Sequence, residues 1–207
     1  LRQGRRDEGL RLVDETMVAV SAGELSPIVA GIVYCNTIAF CRDLYELRAA
    51  QEWTSALTKW CARQPEMLAH QGVCLVHRAE LMTLAGAWPA ALDEARRAAE
   101  RFVQGVLNRG ALGEAAYREG ELHRLRGEAA AAEKSYQEAI RRGREPQPGL
   151  ALLRLAQGKA EAARSSLRLA LSGAFAPPAR ARLLAAQVDA ALSAGAIDEA
   201  RPAAVEL

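Results

Sequence analysis

Three histidines and four cysteines are the residues of this chain best suited to chemistry, and their spacing decides what is open to them. His70 and His77 lie seven positions apart. On one helix that is two turns and about 10 Å along the axis, too far for one metal ion. Glu80 follows His77 by three, a spacing that serves di-iron sites when a second such pair faces it. No second such pair exists, since Glu119 and His123 are four apart. Cys74 and His77 could meet as thiol and imidazole, but no orienting third group or oxyanion donor accompanies them. Cys35, Cys41, Cys61 and Cys74 match no zinc ribbon, C-x-x-C pair or haem attachment. Cys35 and Cys41 are about 600° apart around a helix and do not face each other. No serine sits in a G-x-S-x-G elbow, and no G-x-x-x-x-G-K-[ST] loop exists. The sequence thus predicts no catalytic residue, metal or cofactor, and reads the cysteines as small apolar residues in a reducing compartment.

Charge and composition narrow the class further. The 27 basic and 25 acidic residues are interspersed, giving a net charge of +2 and no basic stripe for nucleic acid. The clusters Arg2, Arg5, Arg6 and Arg141, Arg142, Arg144 read as solvated helix ends. Half the residues are apolar but only 5% aromatic, and Ala, Leu, Arg and Glu favour helix. Trp53, Trp60 and Trp88 read as packing residues, with Trp53 and Trp60 on one stripe. The chain has no apolar run of about 20 residues, so neither a membrane span nor a membrane partner is expected.

These residues must be positioned by helices, and the helices repeat. Gly127 is followed by Ala132, Tyr136 and Ala139 at plus five, plus nine and plus twelve, and Gly120 precedes it by seven. Gly86 leads in the same way to Ala91, Ala95 and Ala98; Gly158 to Ala163, Leu167 and Ala170; Gly195 to Ala200, Ala204 and Leu207. Leu44 stands in for the glycine before Ala49, Trp53 and Ala56, and Gly4 precedes Gly9, Val13 and Thr16. A glycine lets the chain leave a helix through a left-handed cap, alanines allow close helix approach, and the aromatic fills the space beyond. The turn positions 4, 44, 86, 127, 158 and 195 are 40, 42, 41, 31 and 37 residues apart. That brackets the period of about 34 of the tetratricopeptide repeat, which the frame resembles. The fold predicted is all-α, a right-handed tetratricopeptide-like solenoid of about 11 antiparallel helices forming a single domain over 1–207. Helices are expected over about 5–21, 27–42, 47–62, 68–85, 88–104, 111–126, 129–142, 148–157, 160–172, 178–194 and 197–206, with loops at 105–113 and 143–149. Both ends fall inside a repeat without a polar cap, so the chain reads as a piece of a larger protein.

Several blocks resemble actinobacterial transcriptional regulators of the LuxR type. They are Gly143 to Gly158 (GREPQPGLALLRLAQG), Gly23 to Cys35 (GELSPIVAGIVYC), Ala79-Glu80-Leu81 leading to Gly86-Ala87-Trp88, and Ala116 to Glu128. The resemblance covers most of residues 20–200. It implies a non-catalytic, cytoplasmic, protein-interaction or regulatory repeat domain. Such a domain relays partner or effector binding to a DNA-binding domain outside these residues, often alongside an ATP-binding module. The alternative is a stand-alone, self-associating scaffold or adaptor with no link to DNA. The repeat architecture places partners in a concave groove lined by the first helix of each pair. Transferred onto this sequence, the groove residues are Tyr34, His77, Glu80, Tyr117, Arg118, Glu121 and Arg124, with Cys35, Ile38, Val76, Thr83, Arg182 and Asp189 at equivalent positions. Expected partners are a protein or peptide segment and, for the scaffold alternative, a second copy of the chain.

Overall fold

The structure, a computed structural model, describes residues 6–64, 68–104, 109–174 and 177–207. Among the described residues there are eleven α-helices and no strand. They are α1 (Arg6–Ala22), α2 (Pro27–Asp43), α3 (Leu47–Ala62), α4 (Leu68–Leu84), α5 (Trp88–Gln104), α6 (Arg109–Leu125), α7 (Ala129–Arg141), α8 (Gly149–Ala156), α9 (Ala160–Ser172), α10 (Pro177–Ser193) and α11 (Ile197–Glu206). The expected boundaries agree to within about two residues, because glycine and proline mark them. The turn expected at Gly4, the first part of the loop expected at 105–113, and the His70 side chain lie outside the described residues. Within that loop the expectation is corrected: α6 begins at Arg109 and includes Gly110 and Gly113. Burial of Leu112 and Ala115 against Val76, Ala98 and Phe102 outweighs the weak helix propensity of the two glycines.

Among the described residues one backbone motif recurs at seven helix ends. At Gly86 the amide donates to the Thr83 carbonyl at 3.1 Å, and the next amide, Ala87, donates to Met82 at 2.9 Å. The same pair of bonds closes the turns at Gly23, Gly127, Gly143, Gly158 and Gly195. All six glycines have φ between 71° and 80°. This is the Schellman cap, which satisfies carbonyls left open at a helix end and requires a left-handed residue. The seventh cap corrects the expected frame. The left-handed residue is Tyr45, φ 60°, not Leu44, whose φ is −94°. Tyr45 donates to Arg42 at 3.0 Å and Glu46 to Cys41 at 2.8 Å. Counting from Tyr45, the plus five, nine and twelve positions are Ala50, Thr54 and Leu57, at most 3% exposed. Ala49, Trp53 and Ala56 instead lie half-buried one step around the helix.

The chain falls into two compact units, residues 1–118 and 119–207, with the boundary inside α6. In the first, α1 packs on α2, α2 on α3 and also on α4, α3 on α4, and α4 on α5. Its core joins Met17, Tyr34, Ile38, Leu57, Trp60, Cys61 and Cys74. In the second, α7 packs on α8, α8 on α9 and also on α10, α9 on α10, and α10 on α11. Ala151, Ala163, Leu167, Leu183, Ala186 and Ala190 form a core there. The alanine-rich interior lets helices approach closely, and each buried Leu contributes about 2 kcal/mol of apolar transfer. Tyr136, at the plus-nine position, is fully buried. Its ring fits a notch that only glycine leaves: a Cβ on Gly120 would lie 2.7 Å from the ring, and one on Gly149 would lie 2.6 Å from its hydroxyl.

Candidate interaction site

Most helix surfaces here carry exposed charge, so ionic groups inside the fold need an account. In the first unit that account centres on Glu80. The helical period of α4 turns Val76, His77 and Glu80 inward, all below 9% exposed. Glu80 Oε2 accepts from Arg42 Nη1 at 2.9 Å, and Oε1 meets Arg118 Nη1 at 3.0 Å. One carboxylate thus bridges α2 and α6. Arg118 Nη2 also reaches Glu114 Oε1 at 2.7 Å, and Arg42 reaches Asp43 Oδ1 at 2.9 Å. The Arg118 guanidinium lies 5.5 Å from the centre of the Tyr117 ring. Burial alone would lower the Arg42 pKa, but the Glu80 and Asp43 carboxylates outweigh it and hold the guanidinium above the usual arginine range.

His77 stands among these groups, 7% exposed, with neither ring nitrogen hydrogen-bonded. Burial pushes its pKa down to about 4, and Arg42 and Arg118 add to that against the attraction of Glu80 and Glu114. The imidazole is therefore neutral at pH 7 and adds no charge to the bridge.

The second unit carries a smaller cluster. Glu121 accepts from Arg124 through Nε at 3.2 Å and Nη2 at 3.1 Å, and from the Tyr136 hydroxyl by a short bond. A Cβ on Gly149 would fall 2.1 Å from Glu121 Oε1, so this carboxylate also rests on the glycine notch. Burial opposes the Arg124 charge, but its bond to Glu121 prevails and raises its pKa. Elsewhere in this unit Arg164 bridges to Glu199 at 2.9 Å, and Arg180 to Glu206 at 2.9 Å through Nη2.

The seven residues expected in a groove are thus distributed unequally. His77, Glu80 and Arg118 come together in the first unit, and Glu121 and Arg124 in the second. Tyr34 is a core residue, 5% exposed, with its ring 5.9 Å from that of Trp60, and Tyr117 is equally buried. The polar surface of the set is left to the margins of Arg118, Glu121 and Arg124, whose side chains are 17%, 19% and 19% exposed. Sequence reasoning missed Arg42 and Glu114. One more helical step from Ile38 reaches Arg42, and Glu114 stands four before Arg118, the spacing of an ion pair on one helix face. Tyr136 was legible as a packing residue, but nothing in its spacing announced the bond to Glu121.

Among the described residues no group of three or more His, Cys, Asp or Glu side chains is placed to hold a metal ion. None of their helices is long and apolar enough to cross a membrane. Comparison with family models, with curated proteins and with solved structures finds no match to the chain.

Proposed function

We propose that this chain is a non-catalytic, protein-binding repeat region of the tetratricopeptide kind. In this reading it belongs to a cytoplasmic bacterial transcriptional regulator of the LuxR type and relays partner or effector binding to a DNA-binding domain elsewhere in the parent protein. The observation that carries the reading is the recurrent corner. Seven Schellman caps share one bonding pattern, and five of them, at Tyr45, Gly86, Gly127, Gly158 and Gly195, join paired helices. In four of these the plus-five and plus-nine positions are at most 3% exposed. Contacts of α2 with α4 and of α8 with α10, each skipping one helix, are what stacked helix pairs produce. The link to transcription rests on the resemblance of residues 20–200.

Stacked pairs recognise extended segments of other proteins with the first helix of each pair. In this reading Arg118 supplies charge-assisted contacts in the first unit, where Tyr34, Tyr117, His77 and Glu80 are packed around it or in the core, and Glu121 and Arg124 do so separately in the second. The test uses the parent regulator and an Arg124→Gln variant, which removes one charge at nearly constant size. The expected outcome is a reduced transcriptional response with DNA binding and helicity unchanged. An unaltered response, or a parent gene encoding no helix-turn-helix domain, would refute the proposal. Concentration-dependent self-association by light scattering, in a parent without such a domain, would instead identify the scaffold alternative.

A further inference from the structure

The open face of α2 is unlike the rest of the surface. No charged residue stands between Pro27 and Cys41. Ile28, Val29 and Ile32 are all exposed, while no other helix among the described residues exposes more than two large apolar side chains. Single exposed residues such as Leu169 on α9 are ordinary on a protein surface, but a stripe is not. The stripe also has a period. Ile28, Ile32, Cys35 and Ala39 follow at steps of four, three and four, the spacing of a helix packed along another helix. Cys35 and Ala39 are half-buried, and Asn36 beside them is exposed.

The repeat indicates that a helix belongs there. The left-handed cap residues Tyr45 and Gly86 are 41 positions apart, so Cys35, Asn36 and Ala39 correspond to Val76, His77 and Glu80 of α4. All three are buried on α4, where Glu80 joins Arg42 of α2 to Arg118 of α6. On α2 the same positions stay open. Their chemistry excludes a charged occupant. Ala39 stands where α4 has a carboxylate, and a charge set against it would lose water without gaining a partner.

We propose that this stripe packs against the same stripe of a second copy, as two antiparallel α2 helices about a twofold axis. The seam is self-complementary in size. With the axis between residues 33 and 34, Ile28 faces Ala39 across it and Ile32 faces Cys35, so every layer sets one large side chain against one small one. A parallel pair would set Ile against Ile at one end and Ala against Ala at the other, and the helices would splay. Val29 and Asn36 flank the seam, so no charge meets its own copy. The stripe is about 17 Å long and one helix, about 10 Å, wide, well below the roughly 800 Å² that each partner gives to a standard interface. The dimer therefore forms at high concentration and dissociates on dilution. It requires neither the transcriptional role nor a segment bound in the groove.

Light scattering of the chain over a dilution series reaching about 1 mM, where even a weak pair is half formed, measures the assembly. The expected mass rises from monomer to dimer and stops there, because a twofold contact closes on itself. Ile32→Asp leaves an unpaired charge in the middle of the seam and should raise the dissociation constant by about 100-fold or more. Leu169→Asp, at an exposed site of the second unit, should leave it unchanged. Ile28→Asp and Ala39→Lys should each stay monomeric alone yet pair when mixed, since the antiparallel register brings those two positions together. Circular dichroism checks that each variant keeps its helices, and the unsubstituted chain tests assembly even if one does not. A chain that stays monomeric throughout, growth beyond the dimer, or a dimer indifferent to Ile32→Asp or equally weakened by Leu169→Asp would each overturn the proposal. Failure of helical Ile28→Asp and Ala39→Lys proteins to pair would overturn its antiparallel register.

Discussion

Replacing Tyr45 by glycine should make this protein more stable. Tyr45 holds the left-handed position of its Schellman cap at φ 60°, where each of the other six such caps among the described residues has glycine. An L-residue pays roughly 1–2 kcal/mol for that conformation, because its Cβ crowds the following carbonyl. Glycine relieves the strain but gains freedom in the unfolded chain, which returns about 0.4–1 kcal/mol. The side chain is 76% exposed, so little buried surface is lost with it. The difference leaves Tyr45→Gly about 0.5–1 kcal/mol more stable. The mirror experiment is Gly127→Ala. Nothing lies within 4 Å of an added Cβ there, so only the backbone at φ 77° responds, and the expected loss is of similar size. Urea unfolding followed by circular dichroism gives both changes as midpoint shifts at constant slope. A neutral or less stable Tyr45→Gly, or a Gly127→Ala as stable as the parent, would show that the caps are held by neighbouring packing rather than by their own backbone.

Two further outcomes follow from buried groups. His77 has its pKa pushed down to about 4 in the fold, against about 6.5 in the unfolded chain. The unfolded state therefore binds more protons between these values. The stability is present above pH of about 6.5 and is lost as pH falls toward about 4, by up to about 3 kcal/mol for this group. A His77→Gln variant should show a shallower acid slope in the same urea midpoints, and parallel slopes would remove His77 from the account. Gly149→Ala should destabilise the second unit by about 1–3 kcal/mol, because its Cβ meets the Glu121 carboxylate at 2.1 Å. A Gly149→Ala protein with an unchanged thermal midpoint would contradict that packing.

Most of the helix pattern was legible because it is written in punctuation. Gly86, Gly127, Gly158 and Gly195 occupy the conformation that makes glycine useful, and Pro27 sits at the first position of its helix. Tyr45 was not legible, since a tyrosine carries no signal for a left-handed residue, and a frame drawn through Leu44 slipped by one. The loop expected through Gly113 failed for the opposite reason: its glycines report local propensity, while Leu112 and Ala115 are held by contacts far away in sequence. The polar sites were half legible. The helical period placed His77 and Glu80 on one inward face, yet no local rule discloses that Arg42, 38 residues before Glu80, closes the bridge. The burial of Tyr34 and Tyr117 was likewise invisible, because an aromatic on a helix face reads alike whether it meets a partner or the core.

The caps have a consequence for how such a chain can evolve. Each corner is built from its own amides and carbonyls within six residues, so it asks nothing of the rest of the sequence except one residue able to turn left. A duplicated or shortened segment would carry its corner with it. Lineages could then vary helix length and the identity of almost every exposed residue, while the inherited turn keeps each new helix folding back beside its predecessor.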